Sequence, residues 1–143
     1  MPEGVLEVMS IRSDPARFRE VRVWLERIAR GLGLDAREAR EAALAVNEVC
    51  ANVYRHAYGG SKEGRIDLSA ETDLAAGTLR LTVRDYGVAF DVNAVPAPSS
   101  EPQEGGYGVF LIHNLMDRVE FTNMGIGTRV VLVKHRRAAE VSR

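Results

Sequence analysis

Apolar residues in this chain recur with two different periods, and the switches between them mark its elements. Val5 to Ile11 reads as a short strand. Ser13-Asp14-Pro15 then supplies an N-cap followed by proline in the first turn, where its missing N–H costs little. Phe18, Val21, Leu25, Ile28, Ala29 and Leu32 recur at helical spacing until Gly31 and Gly33 end the helix. Asp35 and Glu38 have capping-box spacing, and the helix they open is predicted to run to about Tyr58, before Gly59-Gly60. Residues 65–71 and 78–84 alternate as two strands joined by a turn at 73–77. Residues 91–108, with three prolines, several small residues and no lysine or arginine, read as a loop. A short apolar helix is predicted over 109–116, then a hairpin of strands 118–123 and 128–134 turning through Met124-Gly125-Ile126-Gly127. No internal repeat is visible. The sum is α+β: a two-layer sandwich of a mostly antiparallel mixed sheet with helices on one face.

Composition narrows the class. A chain of 143 residues, 45% hydrophobic and 27% charged, reads as one soluble globular domain able to bury a core without metal or disulfide staples. A formal net charge of −1 provides no general attraction to nucleic acid or anionic lipid. The single cysteine, Cys50, lies inside a helical pattern and reads as a small buried hydrophobe. No apolar run approaches the ~20 residues needed to cross a bilayer, and no leader pattern opens the chain, so a cytoplasmic protein without membrane contact is expected.

Three stretches carry candidate chemistry. On the second helix Ala42, Ala45, Val46, Val49, Val53 and Ala57 form a core-facing stripe, while Glu41, Glu48, Asn52 and Arg55 form another. Side chains four apart on a helix are neighbours, so Glu48 and Asn52 can address one small object. A carboxylate can serve as a general base, an amide oxygen suits Mg²⁺, and Arg55 adds a cation for a phosphate. The plainer alternative is a solvated polar face, against which Asn52 is a mediocre mid-helix residue. In the strand 78–84, Leu79, Leu81 and Val83 share a face, and Asp85 has the same parity. A carboxylate turned toward the core needs a partner, and a purine amine is a suitable donor, with Gly87 allowing close approach to a flat ring. An ordinary Asp-x-Gly turn is the alternative. Finally, Gly105-Gly106-Tyr107-Gly108 leads straight into a helix, whose N-terminus and free backbone N–H groups suit a di- or triphosphate; a lone glycine cluster is also a common flexible loop.

Taken together, the strings NEVCANVYRHAY (47–58), DYGVAFD (85–91), EGGYGVFLIHNLMDRVEF (104–121) and GTRVVL (127–132) resemble the GHKL superfamily of ATPases, and within it the anti-sigma factor serine/threonine protein kinases. The resemblance covers nearly the whole chain, and implies a histidine-kinase-like ATPase fold in one domain over 1–143, with an ATP lid at 91–108. It implies Glu48 as catalytic base, Asn52 as Mg²⁺ ligand and Asp85 as the acceptor for the adenine amine, with Gly87 beside the ring. Gly105, Gly106 and Gly108 would belong to the lid and phosphate loop, and Thr128 would close the adenine pocket. Arg55 and His56 would lie near the phosphates. The sequence departs from the family's usual pattern at Ala89 (commonly glycine), at Tyr107 and Val109 (commonly leucine), and at Glu104, which with Asp91 and Glu101 leaves the lid without positive charge.

The histidines, His56, His113 and His135, all lie within or after the nucleotide motifs, which excludes a self-sufficient histidine kinase with its acceptor on preceding helices. A second domain of the gyrase or mismatch-repair kind finds no room, so action in trans on another protein is expected. The resemblance implies phosphoryl transfer from Mg-ATP to a serine or threonine of an anti-sigma factor antagonist, sequestration of a sigma factor by partner switching, and a homodimer. Two alternatives stay open: an ATP-binding module that sequesters a partner without phosphorylating it, which the acidic lid favours, and a kinase of a different regulatory protein.

Overall fold

The computed structural model describes residues 4–89 and 107–137. Five strands, β1 (Gly4–Arg12), β2 (Arg65–Asp73), β3 (Thr78–Asp85), β4 (Arg118–Asn123) and β5 (Thr128–His135), form one sheet in the order β1-β2-β3-β5-β4. All of the pairings are antiparallel, so the sheet has no parallel pair among the described residues. Three α-helices, α1 (Phe18–Leu32), α2 (Ala36–Asn52) and α3 (Tyr107–Leu115), pack with the sheet around a single apolar core. The two-layer α+β architecture is the one the periodicity predicts.

Local chemistry fixes the helix ends. Asp14, rather than Ser13, is the cap: its Oδ1 accepts the Ala16 N–H at 3.0 Å and opens a short 3₁₀ turn, Pro15–Arg17, ahead of α1. Ser13 is fully buried instead, its Oγ donating to the Ser61 carbonyl at 2.6 Å and accepting the Gly64 N–H at 2.9 Å. Gly33 ends α1 with φ +99°, a conformation that costs glycine nothing. The capping box at α2 is complete, with Glu38 N–H to Asp35 Oδ1 at 2.7 Å and Asp35 N–H to Glu38 Oε1 at 2.9 Å.

The sheet follows the two-residue period. Ile66, Leu68 and Ala70 of β2, Leu79, Leu81 and Val83 of β3, and Val130 and Leu132 of β5 are buried beneath the helices. Opposite them, Val21, Leu25, Val46 and Val49 close the core. Cys50 is buried there too, and burial pushes its thiol up to about 12, which makes it the inert hydrophobe expected of it. Lys134 is a buried exception. Its Nζ donates to Glu41 Oε1 of α2 at 2.9 Å and to the Leu115 carbonyl of α3 at 2.6 Å, so one cation ties α2, α3 and β5 together.

Candidate functional site

The second helix differs from its predicted form where the chemistry begins. Regular α-helix stops at Asn52, and Val53–Ala57 form a π turn, closed by the Tyr58 N–H to the Val53 carbonyl at 3.0 Å. Such widened turns are rare and recur at functional sites, because they swing the following residues onto a new bearing. Here the widened turn carries Arg55 and His56 out to solvent and presents the Ala57 carbonyl and the Tyr58 hydroxyl to the loop after β3.

The predicted polar stripe splits in two. Glu41 faces Lys134 and Arg37, at 2.9 and 3.5 Å, and takes no part in the site. Glu48 and Asn52 are half-buried and face the first turn of α3. A Cβ built on Gly108 would sit 3.2 Å from Glu48 Oε2 and 3.4 Å from Asn52 Oδ1, so this glycine lies directly against both side chains. Arg55 Nη2 donates to Asn52 Oδ1 at 2.9 Å. Glu48, Asn52, Arg55 and Gly108 therefore form one group. Gly105 and Gly106, and most of the predicted lid, lie outside the described residues.

Asp85 forms the centre of a second group. It is only 2% exposed, at the end of β3 on the core side, as its parity predicts. Its carboxylate accepts the Gly87 N–H at 3.1 Å and the backbone N–H of Thr128. Burial pushes this carboxyl above the usual aspartate value; the two N–H groups and the Arg84 guanidinium oppose that shift without cancelling it. Thr128 is 3% exposed and begins β5, next to Gly127. Gly127 has φ +75°, and a Cβ there would meet the Asp85 carbonyl oxygen at 2.0 Å. Only glycine lets the β4–β5 turn lie on the Asp85 backbone.

Gly87 has a close backbone neighbour in the structure. A Cβ at Gly87 would lie 2.2 Å from the Ala57 carbonyl oxygen, so the close approach it permits is to the backbone of the π turn. The next residue seals that contact, Val88 N–H to Ala57 carbonyl at 2.9 Å. The two groups are thus joined through the end of α2: Asn52 stands five residues before the carbonyl that holds the Asp85 loop.

Several contributors escape sequence reasoning. Tyr58, Gly127 and the Ala57 carbonyl all hold the Asp85 loop, yet only Gly127 carries a signal, as the glycine of a Gly-x-Gly turn beside Thr128. On the sheet's outer face Asp67 gathers Ser10 Oγ at 2.5 Å, Arg65 Nε at 2.7 Å and Tyr86 Oη at 2.5 Å. Burial raises the Asp67 carboxyl, but these donors outweigh it and the net direction is down.

The sequence profile described as the histidine kinase-like ATPase domain matches residues 11–134, from the end of β1 into the last residues of β5. The chain belongs to that family. Among curated relatives it is similar to serine-protein kinase RsbW of Oceanobacillus iheyensis, 27% identical over 142 residues, covering 93% of this chain and 88% of the relative. It is also similar to serine-protein kinase RsbW of Halalkalibacterium halodurans, 37% identical over 109 residues, 70% of this chain and 65% of the relative. Among solved structures it superimposes on the RsbU and RsbW domains of a Mycobacterium tuberculosis protein with a TM-score of 0.69 at 19% identity; 96% of this chain matches 35% of that one, and the likeness concerns the fold.

Family membership makes this an ATPase-type domain, and the donor set is compatible with the metal such a domain uses. Among the described residues no three His, Cys, Asp or Glu side chains converge on a metal position. Mg²⁺ does not need such a cage, since it usually takes one or two protein oxygens and completes its shell with water and substrate phosphates. Asn52 Oδ1, beside Gly108 at the last residue of α2, has the chemistry of such an oxygen and here accepts from Arg55.

Proposed function

We infer that this chain is a serine/threonine protein kinase that uses Mg-ATP and acts in trans on an anti-sigma factor antagonist, and that it also sequesters a sigma factor. The observation that carries the reading is a buried carboxylate, Asp85, whose loop docks on the turn that follows Asn52, while Glu48 and Asn52 lie against Gly108 of α3. The names of the relatives support the kinase activity, and the two partners are what the family resemblance implies. Asp85 has two backbone donors and retains acceptor capacity for a purine amine. The first turn of α3, with Gly108 in contact with Glu48 and Asn52, offers N–H groups and about half a positive charge to phosphate oxygens.

In this reading Glu48 takes the proton from the acceptor hydroxyl as its oxygen attacks the γ-phosphorus. The bond to the bridging oxygen breaks, and ADP leaves with that electron pair. Asn52 is the residue that would hold Mg²⁺, which when bound neutralises charge on the phosphates. Arg55, freed from Asn52, turns to a phosphate, with His56 beside it on the exposed turn. Gly105, Gly106 and Gly108 complete the phosphate loop, and Thr128 borders the base through its place beside Asp85. Partner choice then depends on nucleotide state only through differential affinity for the two partners.

The chain is proposed to work as a single domain in the cytoplasm, as the family resemblance implies. A homodimer through the first strand is part of the reading, since β1 is a sheet edge that leaves Leu6 63% and Val8 71% exposed. Direct nucleic-acid binding has no support in a net charge of −1. The acidic lid favours a second reading, an ATP-binding module that sequesters its partner without phosphorylating it. Incubating the protein with γ-labelled ATP and partners recovered by pull-down separates the two. Label on a partner serine or threonine, lost in Glu48→Ala while ATP binding persists, supports the kinase. Stable capture without label supports the module.

A further inference from the structure

Three consecutive backbone N–H groups follow Asp85, and each has a different partner. Gly87 N–H returns to the Asp85 carboxylate, Val88 N–H goes to the Ala57 carbonyl, and Tyr86 N–H goes to Tyr58 Oη at 2.9 Å. The Tyr58 hydroxyl also donates to the Arg65 carbonyl at 2.6 Å. One oxygen therefore joins the turn after α2, the start of β2 and the residue next to Asp85. Its ring is seated against Gly64, where a Cβ would come within 2.4 Å of the ring carbons. Burial raises the phenol, so the hydroxyl stays protonated and able to donate.

We propose that Tyr58 is a positioning residue for adenine recognition: its hydroxyl fixes the Tyr86 amide and so aims the Asp85 carboxylate at the base. This rests on the reading of Asp85 as the adenine acceptor. The same turn that follows Asn52 thereby sets the base-reading carboxylate, so the base and phosphate ends of the site share one backbone segment. Tyr86 adds a second hold from the opposite side, with its hydroxyl on Asp67 and the Arg84 guanidinium 4.6 Å above its ring.

The test is Tyr58→Phe, which keeps the ring against Gly64 and removes one oxygen. ATP and GTP affinities, each with Mg²⁺, are measured by calorimetry, and amide hydrogen exchange is followed at Tyr86 and Val88. Losing one such hydrogen bond shifts an equilibrium by roughly fivefold. The proposal expects ATP affinity to fall by about that factor with GTP unchanged, and Tyr86 exchange to accelerate while Val88 stays protected. Gly64→Ala, which keeps the hydroxyl but pushes the ring away, should lose the same ATP preference. A wild-type protein that prefers ATP and a Tyr58→Phe protein with the same preference overturn the positioning role alone. Equal weakening of ATP and GTP overturns it as well, because that is what a merely structural tyrosine would do. A wild type that binds neither nucleotide, or both equally, overturns the adenine reading of Asp85 and this proposal with it.

Discussion

Replacing Gly87 by alanine puts a methyl group 2.2 Å from the Ala57 carbonyl oxygen and 2.6 Å from its carbon. Both obstacles are backbone, so neither can rotate aside, and the loop must retreat by about 1 Å to restore ordinary contact. That movement breaks the Val88–Ala57 bond and strains the Tyr86–Tyr58 bond, both 2.9 Å in the intact loop. Two hydrogen bonds at ~1 kcal/mol each, with some overpacking, are offset by the ~0.4–1 kcal/mol that alanine contributes by restricting the unfolded chain. The net expectation is a loss of ~2 kcal/mol in the nucleotide-free protein, read from the urea midpoint. Hydrogen exchange should show Val88 opening, and ATP affinity should drop because Asp85 moves with the loop. If Gly87 served only to clear space for an adenine ring, the nucleotide-free protein would keep its stability. A Gly87→Ala protein within ~0.5 kcal/mol of wild type, with Val88 still protected, would refute the backbone-contact account.

Other outcomes follow from the same contacts. The Asp85 carboxyl is raised in the folded protein above its ordinary 3.8, so its folding contribution is intact below that value and is lost as pH rises through the folded-state value. Asp85→Asn should therefore match wild-type stability in acid and exceed it near neutrality, as measured by denaturation across pH; the reverse trend would contradict the assignment. Lys134→Met should cost ~2–3 kcal/mol, since it leaves the Leu115 carbonyl unpaired and Glu41 with only Arg37, and exchange should rise in the last turn of α3. Cys50, with its thiol at about 12, should resist alkylation at mildly alkaline pH until the protein unfolds, as judged by mass spectrometry.

Strand alternation and helix stripes are read reliably from sequence because burial enforces them. The parity that links Leu79, Leu81 and Val83 to Asp85 is a property of any strand with one face covered, and it places the carboxylate correctly. The capping box at Asp35 and the stop at Gly33 are equally local. What sequence could not give depends on contacts distant along the chain. Glu41 shares the helical stripe of Glu48, yet a lysine 93 residues away claims it. The π turn after Asn52 has no local signature, because Val53–Ala57 would propagate an α-helix as readily. Its geometry comes from the Asp85 loop docking on Ala57 and Tyr58. Gly87 shows the same limit: its sequence says that something comes close, while only the fold identifies the Ala57 carbonyl.

The proposed function depends on Asp85 reading adenine within a Mg-ATP site. Calorimetric titration of the wild-type protein and Asp85→Asn with ATP and with GTP, in the presence of Mg²⁺, tests it most directly. Wild type is expected to bind ATP in preference to GTP, whose exocyclic carbonyl would face the carboxylate. Asp85→Asn, which presents an amide donor in place of a pure acceptor, is expected to lose that binding while remaining folded. Equal ATP affinity in the two folded proteins would contradict that reading of Asp85.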